Sequence, residues 1–328
     1  MAGWSRIIKL LFHANLNRKE SKMDLRDSYT RQVKLLMDAL PHVAKESGFA
    51  LKGGTAINLF VQDFPRLSVD IDLAYKTFAD RDTDLTAIND ALKRITASLN
   101  SKPGITAIRQ ENKTDEKRII VNTADAQIKI EVSPVWRGLL LPPAEMSVCE
   151  RVEMEYGFTT MSVVSLADLY GGKICAALDR QHPRDLFDVL NMLEKPGLMR
   201  EIFDGFLCYL AGHPRPIAEL LAPNWDTERI TTLYAQEFSG MTQQETSLES
   251  LLSVTTLLPQ ALKSHLTDLD REFLLSFKQN SPDWSRYRYP EIQHLPAIRW
   301  KQRNLAVLKD KNPAKYVAAV NKLERVLA

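Results

Sequence analysis

Ser68-Val69-Asp70-Ile71-Asp72-Leu73 begins fifteen residues beyond Gly53 of the turn Lys52-Gly53-Gly54-Thr55. In a β-strand alternate residues share a face, so Ser68, Asp70 and Asp72 project together while Val69, Ile71 and Leu73 point into a core. Carboxylates two residues apart lie about 6–7 Å from each other and, at an effective dielectric of ~20, repel by roughly 2–3 kcal/mol. A cation between them relieves that repulsion. Mg²⁺ takes one or two carboxylates plus substrate phosphates and keeps several waters, which makes Asp70 and Asp72 candidate metal ligands and catalytic acids. Taken alone, the pair also reads as two surface aspartates on a solvated edge strand.

The glycine turn separates these readings. Phe49-Ala50-Leu51 is an apolar run, and Thr55-Ala56-Ile57-Asn58-Leu59-Phe60 reads as a helix with Ile57, Phe60 and Val61 on one side. Strand, tight turn and helix N-terminus together give a place where backbone approaches a phosphate closely and free N–H groups meet an anion. Lys52, Gly53, Gly54, Thr55 and Ser68 are therefore the expected nucleotide-binding residues. The turn lacks the Gly-Lys-Ser/Thr ending of a P-loop. Gly-Gly-Thr in isolation also reads as a plain turn, and its meaning comes from the carboxylate strand that follows.

Lys52-Gly-Gly-Thr-Ala and then Arg66-Leu-Ser-Val-Asp-Ile-Asp-Leu resemble the AbiEii/AbiGii toxin branch of the polymerase-β-like nucleotidyltransferases. Gly172-Lys173-Ile-Cys-Ala-Ala-Leu-Asp-Arg180, followed by His182-Pro-Arg184-Asp185-Leu-Phe-Asp188, is similar to the lysine motif and the Arg-Asp-x-Phe-Asp motif of that family. Leu295-Pro-Ala-Ile-Arg-Trp-Lys301 looks like its tail. The four blocks stand in family order from about residue 25 to the end of the chain. The resemblance implies an α+β fold, with a mixed sheet flanked by helices and a C-terminal helical domain. It also implies Mg²⁺-dependent transfer of NMP from an NTP to a tRNA 3′ end, growth arrest, and a cognate antitoxin.

The later blocks support this on their own terms. Ser165-Leu-Ala-Asp168 resembles a capping box, with Asp in place of the usual Glu or Gln, so a helix begins there. Leu169, Tyr170, Ile174, Ala177 and Leu178 recur at helical spacing with Lys173 near the edge of that stripe. Lys173 reads as a cation for triphosphate charge or as a snorkelling surface lysine. Pro183 suits the first position of a second helix. Arg184 and Asp188 are spaced for an i,i+4 ion pair, with Asp188 as structural support. By resemblance, Asp185 is the last active-site acid. Arg118 to Asn122 and Gln127 to Val132 read as a β-hairpin. Glu131 would occupy the third-carboxylate position of polymerase-β-like folds, and an ordinary exposed strand glutamate is the alternative. With Asp70 and Asp72 it would support two metals, one activating the attacking hydroxyl and one steadying pyrophosphate.

The chain has 328 residues, enough for two domains with a sizeable core, and its net charge of +2 requires nucleic-acid contacts to come from local clusters. From Arg286 onward, ten Lys/Arg against three Asp/Glu are interleaved with Tyr287, Tyr289, Trp300 and Tyr316. That pattern suits RNA, or a charged helical surface over buried aromatics. Cys149, Cys175 and Cys208 are isolated, and no His-Glu-x-x-His occurs, which argues against disulfides, zinc and metalloprotease chemistry. Trp4 to Phe12 is too short and too charged to span a bilayer, so a cytoplasmic protein without a membrane segment is expected. Residues 1–47 read as an N-terminal helical segment kinked at Pro41, 48–195 as the nucleotidyltransferase domain with its sheet at roughly 48–135, and 196–328 as the helical domain. Residues 84–99 form a covering helix before the Pro103-Gly104 loop. Two other readings keep the same carboxylates: a transferase that modifies Ser, Thr or Tyr hydroxyls of proteins, and a non-catalytic RNA- or partner-binding module.

Overall fold

A computed structural model describes residues 27–110 and 117–328. The Trp4 to Phe12 segment and the start of the expected N-terminal helix lie outside the described residues. Helix α1 covers 27–44 and continues through Pro41, one turn from its end, at the loss of the one hydrogen bond that an N–H at 41 would donate to the Met37 carbonyl. Strand β1 (Phe49–Lys52) leads into one α-turn, α2 (Gly53–Ala56), and a π-turn at Ile57–Val61. Strand β2 (Asp70–Tyr75) precedes α3 (Arg81–Asn100), which matches the apolar period around residues 84–99 and is capped by Asp80. Strands β3 (Thr106–Gln110), β4 (Lys117–Asn122) and β5 (Gln127–Arg137) follow, and Asn122 faces Gln127 across the expected hairpin. Then come β6 (Ala144–Ser147), α4 (Glu150–Tyr156) and β7 (Thr160–Val163).

Among the described residues the strands form one mixed sheet in the order β3-β4-β5-β2-β1-β7-β6. The sheet extends past residue 135, because β7 adds in parallel to β1 through Leu51 and Val163, and β6 pairs with β7. β2 lies between β1, to which it is antiparallel, and β5, to which it is parallel. On the core side Ile71, Ile130, Val132, Ile119 and Val121 are buried with Ile88, Leu92, Ile95 and Leu99 of α3. At roughly 25 cal/mol per Å² of buried apolar surface, this layer contributes most of what holds the outer strands in register. α1 lies beside α3, tied by Lys102 to Asp38 at 2.6 Å and Arg94 to Glu46 at 2.7 Å.

The rest is helical: α5 (Leu166–Arg180), α6 (Pro183–Glu194), α7 (Arg200–Gly212), α8 (Ile217–Leu221), α9 (Thr227–Leu233), α10 (Leu248–His265), α11 (Asp268–Lys278), α12 (Pro296–Lys311) and α13 (Pro313–Leu327). The apolar core runs without interruption across residue 195 and joins sheet and helices. α5 and α7 meet backbone to backbone. A Cβ on Gly171 would fall 2.4 Å from the Gly205 carbonyl carbon, and one on Gly205 would fall 2.0 Å from the Ala167 oxygen. Neither obstacle is a side chain that can swing away. Gly205→Ala is therefore expected to destabilise the fold by about 2–3 kcal/mol through overpacking. A thermal melt reads this, and an unshifted transition would mean that the helices are not in backbone contact.

Candidate active site

Register carries the β2 carboxylates into a row of charges. Asp72 stands opposite Lys52 of β1 on one side and Glu131 of β5 on the other, and Glu131 stands opposite Arg118 of β4. Paired residues share a sheet face, so Lys52, Asp72, Glu131 and Arg118 line up on the face away from α3. Asp70, one step along, stands opposite Lys129. Burial, reinforced by the Asp72 carboxylate, pushes the Asp70 carboxyl above its ordinary range against the pull of Lys129, Arg184 and Arg118. Burial raises Glu131 as well, although Arg118 lies 2.6 Å away and opposes the shift. Burial of the Lys52 amine lowers it, opposed by Asp72 and Asp168.

The glycine turn is built around these strand side chains. Gly53 has φ +74°, and a Cβ there would stand 2.4 Å from the Asp72 Oδ2. At Gly54 it would meet the Arg66 Nη2 at 2.8 Å and the Ser68 Oγ at 3.0 Å. The glycines thus admit the acid, the arginine and the serine, a closer and more local use than phosphate approach alone. Thr55 is fully buried, and its hydroxyl reaches the Ser68 Oγ at 3.0 Å and the Asp70 carbonyl at 2.5 Å. It pins the start of β2. Ser68 itself precedes the strand, is buried, and still lines the cavity described below.

Lys173 is neither a surface lysine nor an open ammonium. It is buried on α5, 2.8 Å from the Asp185 Oδ1 and 3.0 Å from the Asp188 Oδ2. Burial opposes its charge, but the two carboxylates outweigh that and hold its pKa above the usual lysine value. Asp185 also receives both Nε and Nη2 of Arg180, whose side chain remains largely exposed. Asp188 is completely buried and takes a bidentate pair from Arg66, at 2.8 and 2.6 Å. Burial alone would raise both acids; Lys173 and Arg180 bring Asp185 below the ordinary carboxylate range, and Arg66 and Lys173 do the same for Asp188. The expected Arg184–Asp188 pair is absent, because Arg66 and Lys173 occupy Asp188 and Arg184 turns toward Glu237 at 3.8 Å. Asn58 ties the network to the turn, donating to the Gly54 carbonyl at 2.8 Å and to Asp188 at 3.2 Å.

Helix starts place these groups. Ser165 caps α5 through the Asp168 amide, but the acid does not complete the box. Asp168 instead accepts the Leu140 and Leu141 amides at 2.9 and 3.1 Å, stitching α5 to the chain after β5. Pro183 opens α6 as expected, and His182 is a cap as well as a loop residue, its ring nitrogen accepting the Arg184 amide.

All of this opens onto one cavity of about 700 Å³. Lys52, Gly53, Gly54, Ser68, Asp70, Asp72 and Glu131 line one side, and Lys173, Asp185, Arg180 and Arg184 another. Every site residue expected from the sequence reaches its lining except Thr55 behind the turn. Arg66, Arg180, Trp136 and Tyr209, to which the sequence assigns no role, also line it, as do Trp300 and Lys301 of the C-terminal basic and aromatic cluster. Arg66 and Arg180 stood inside quoted motifs; Trp136 and Tyr209 carried no local signal. In the C-terminal cluster Tyr287 and Tyr316 are buried, and Lys301 is spent on the carbonyls of His213, Pro214 and Arg215 at 2.7, 3.1 and 2.7 Å. Trp300 is the strongly exposed aromatic of the four, at 56%. Among the described residues no three His, Cys, Asp or Glu side chains converge as a preformed metal site, and Glu131 is held by Arg118. No described helix is long and apolar enough to cross a membrane, and all three cysteines are free.

The profile of the nucleotidyl transferase AbiEii toxin family, type IV toxin–antitoxin system, matches residues 34–303. The chain belongs to the AbiEii family. It is thus a member of a family of nucleotidyltransferase toxins, and its α+β fold is similar to that of one solved nucleotidyltransferase toxin. MenT4, a nucleotidyltransferase toxin from Mycobacterium tuberculosis H37Rv, aligns with a TM-score of 0.55 at 16% identity, covering 85% of this chain and 93% of that one. A protein from H. pylori described as a nucleotidyltransferase covers 70% of this chain and 93% of its own at 18% identity, with a TM-score of 0.42. No curated protein sequence matches.

Proposed function

We propose that this AbiEii toxin transfers a nucleoside monophosphate from an NTP to the 3′ end of a tRNA, with Mg²⁺ as cofactor. The observation that carries the reading is the placement of Asp70 and Asp72 on one strand face, beside the Gly53-Gly54 turn and across one cavity from Arg180 and Lys173. The donor set fits the metal: two oxygen ligands stand side by side, and Asp70, its proton affinity raised by burial and then by repulsion from Asp72, gains from a hard divalent cation beside it. Asp70 and Asp72 would hold it, with Glu131 as a third acid once Arg118 gives way. When bound, Mg²⁺ would lower the charge on the phosphates and favour an ionised acceptor hydroxyl.

The chain's own groups account for positioning. Arg180 and Arg184 present guanidinium groups to triphosphate oxygens, and Arg matches phosphate bidentately. Asp185 fixes Arg180, and Lys173 fixes Asp185, so the lysine acts through its neighbours as well as through charge. Arg66, Lys173 and Arg180 against Asp185 and Asp188 leave one net positive charge in the wall facing the phosphates. Attack by the hydroxyl oxygen on the α-phosphorus breaks the bond to pyrophosphate, whose charge develops toward that wall. The turn amides and Ser68 hold the nucleotide against β2. Membership in a toxin–antitoxin family supports a cognate antitoxin as protein partner.

Incubation of the full chain with each labelled NTP, Mg²⁺ and total tRNA tests this. Label on RNA with one or a few NTPs is the expected result. Label on protein instead would replace the reading by protein modification, and RNA binding without any turnover would reduce the fold to a binding module.

A further inference from the structure

The cavity has an aromatic wall that the transfer chemistry does not use. Between the pairs Leu73↔Val132 and Tyr75↔Arg137 the register of β5 shifts, so that Val132 to Arg137 lies opposite only Leu73 to Tyr75. Bulges of this kind re-aim side chains next to sites. Here the displaced segment turns Ser133, Val135 and Trp136 into the cavity lining. The Trp136 ring stacks on Tyr209 of α7, with centroids 4.1 Å apart and planes 12° from parallel. Tyr209 is anchored in turn, its hydroxyl 3.3 Å from the Asp168 Oδ1.

Two glycines clear the space these rings need. A Cβ at Gly212 would lie 2.5 Å from Trp136, and one at Gly172 would lie 3.2 Å from Tyr209. The same Gly212 Cβ would come 3.3 Å from Ala297 of α12, one turn before Trp300. Ala297, Trp300, Lys301 and Asn304 follow the i, i+3, i+4, i+7 spacing of one helix face, and the last three line the cavity. A half-exposed, braced indole and a strongly exposed one thus border the compartment whose other walls hold the carboxylates and arginines.

We propose that Trp136, braced by Tyr209, is the platform on which the nucleobase of the incoming NTP stacks, with Trp300 flanking it at the solvent edge. This rests on the nucleotidyl-transfer reading and adds the subsite for the base. Stacking uses a π-face that every base has, so the platform by itself discriminates weakly among NTPs.

Calorimetric titration of the full chain with each NTP and with inorganic tripolyphosphate separates the base from the phosphates. The wild type is expected to bind NTPs on the order of tenfold more tightly than tripolyphosphate, a usual gain for one stacked base. In Trp136→Leu that ratio collapses toward one while tripolyphosphate affinity is unchanged, and Trp300→Ala reduces it in part. An unchanged ratio in folded Trp136→Leu overturns the proposal. If Trp136→Leu does not fold, indole fluorescence decides in a Trp300→Phe background: NTP quenching should vanish when Trp136→Phe is added, with affinity kept, and persist when Trp225→Phe or Trp284→Phe is added, whose rings lie outside the cavity lining. Quenching that survives in the Trp136→Phe/Trp300→Phe protein overturns the platform. A wild type that binds neither NTP nor tripolyphosphate overturns the transfer reading itself, and the base subsite with it.

Discussion

Asp72→Asn is expected to abolish label transfer, by on the order of a thousandfold or about 4 kcal/mol of transition-state stabilisation, while leaving the fold intact. Shape and charge separate at this position. The carboxylate packs against Gly53 at a distance that leaves no room for a Cβ, and asparagine fills the same volume. Its charge is placed between an attractive partner, Lys52, and two repulsive ones, Asp70 and Glu131. Loss of the first offsets relief of the other two, so folding stability should change by less than about 1 kcal/mol at the effective dielectric of a half-buried site. The Asp70 carboxyl should move back toward its ordinary range, because one cause of its elevation is gone. Quantifying label on RNA beside a thermal melt reads both quantities. A folded variant that keeps a tenth or more of the transfer rate would remove Asp72 from the machinery.

How far the sequence could be read depended on whether a feature was local. The alternation through Leu73, the apolar period of α3, the β4–β5 turn and the starts of α5 and α6 are each written in a few neighbouring residues, and all appear in the structure. The pairing of Arg66 with Asp188 spans 122 positions, and no spacing rule reaches that far. Helical periodicity offered Arg184 as the partner because it could count only within one helix. Strand β7 alternates over only four residues, Thr160-Met161-Ser162-Val163, too short a run to stand out, and its parallel pairing with β1 leaves no hairpin turn as a signal. Gly171 and Gly205 carry no local signal, and their meaning lies in a backbone contact between α5 and α7. The carboxylates of the site were legible because chemistry demands them close together on one strand. The groups that fix their surroundings were assembled from four separate elements.

Asp188→Ala is the substitution with the largest expected effect on stability. Asp188 is wholly buried and carries the bidentate pair from Arg66, a 3.0 Å contact with Lys173 and an amide from Asn58. Removal of the carboxylate leaves two cations in the interior with one acid, Asp185, which Arg180 already shares. Breaking a buried pair from one side typically costs about 3–5 kcal/mol, far more than loss of an exposed bridge. Denaturant unfolding should therefore show a markedly lower midpoint. Replacing Arg66 and Asp188 together by apolar residues should recover part of the loss, since no unpaired charge then remains between them. The pH dependence has a defined sign. Asp188 titrates below its unfolded value, so its contribution is present above about pH 4 and disappears as pH falls through the lower, folded value. The wild type should lose stability across that acid range more steeply than Asp188→Asn, which has no proton to take up there. Parallel acid profiles for the two proteins would show that the network does not carry the charge balance assigned to it.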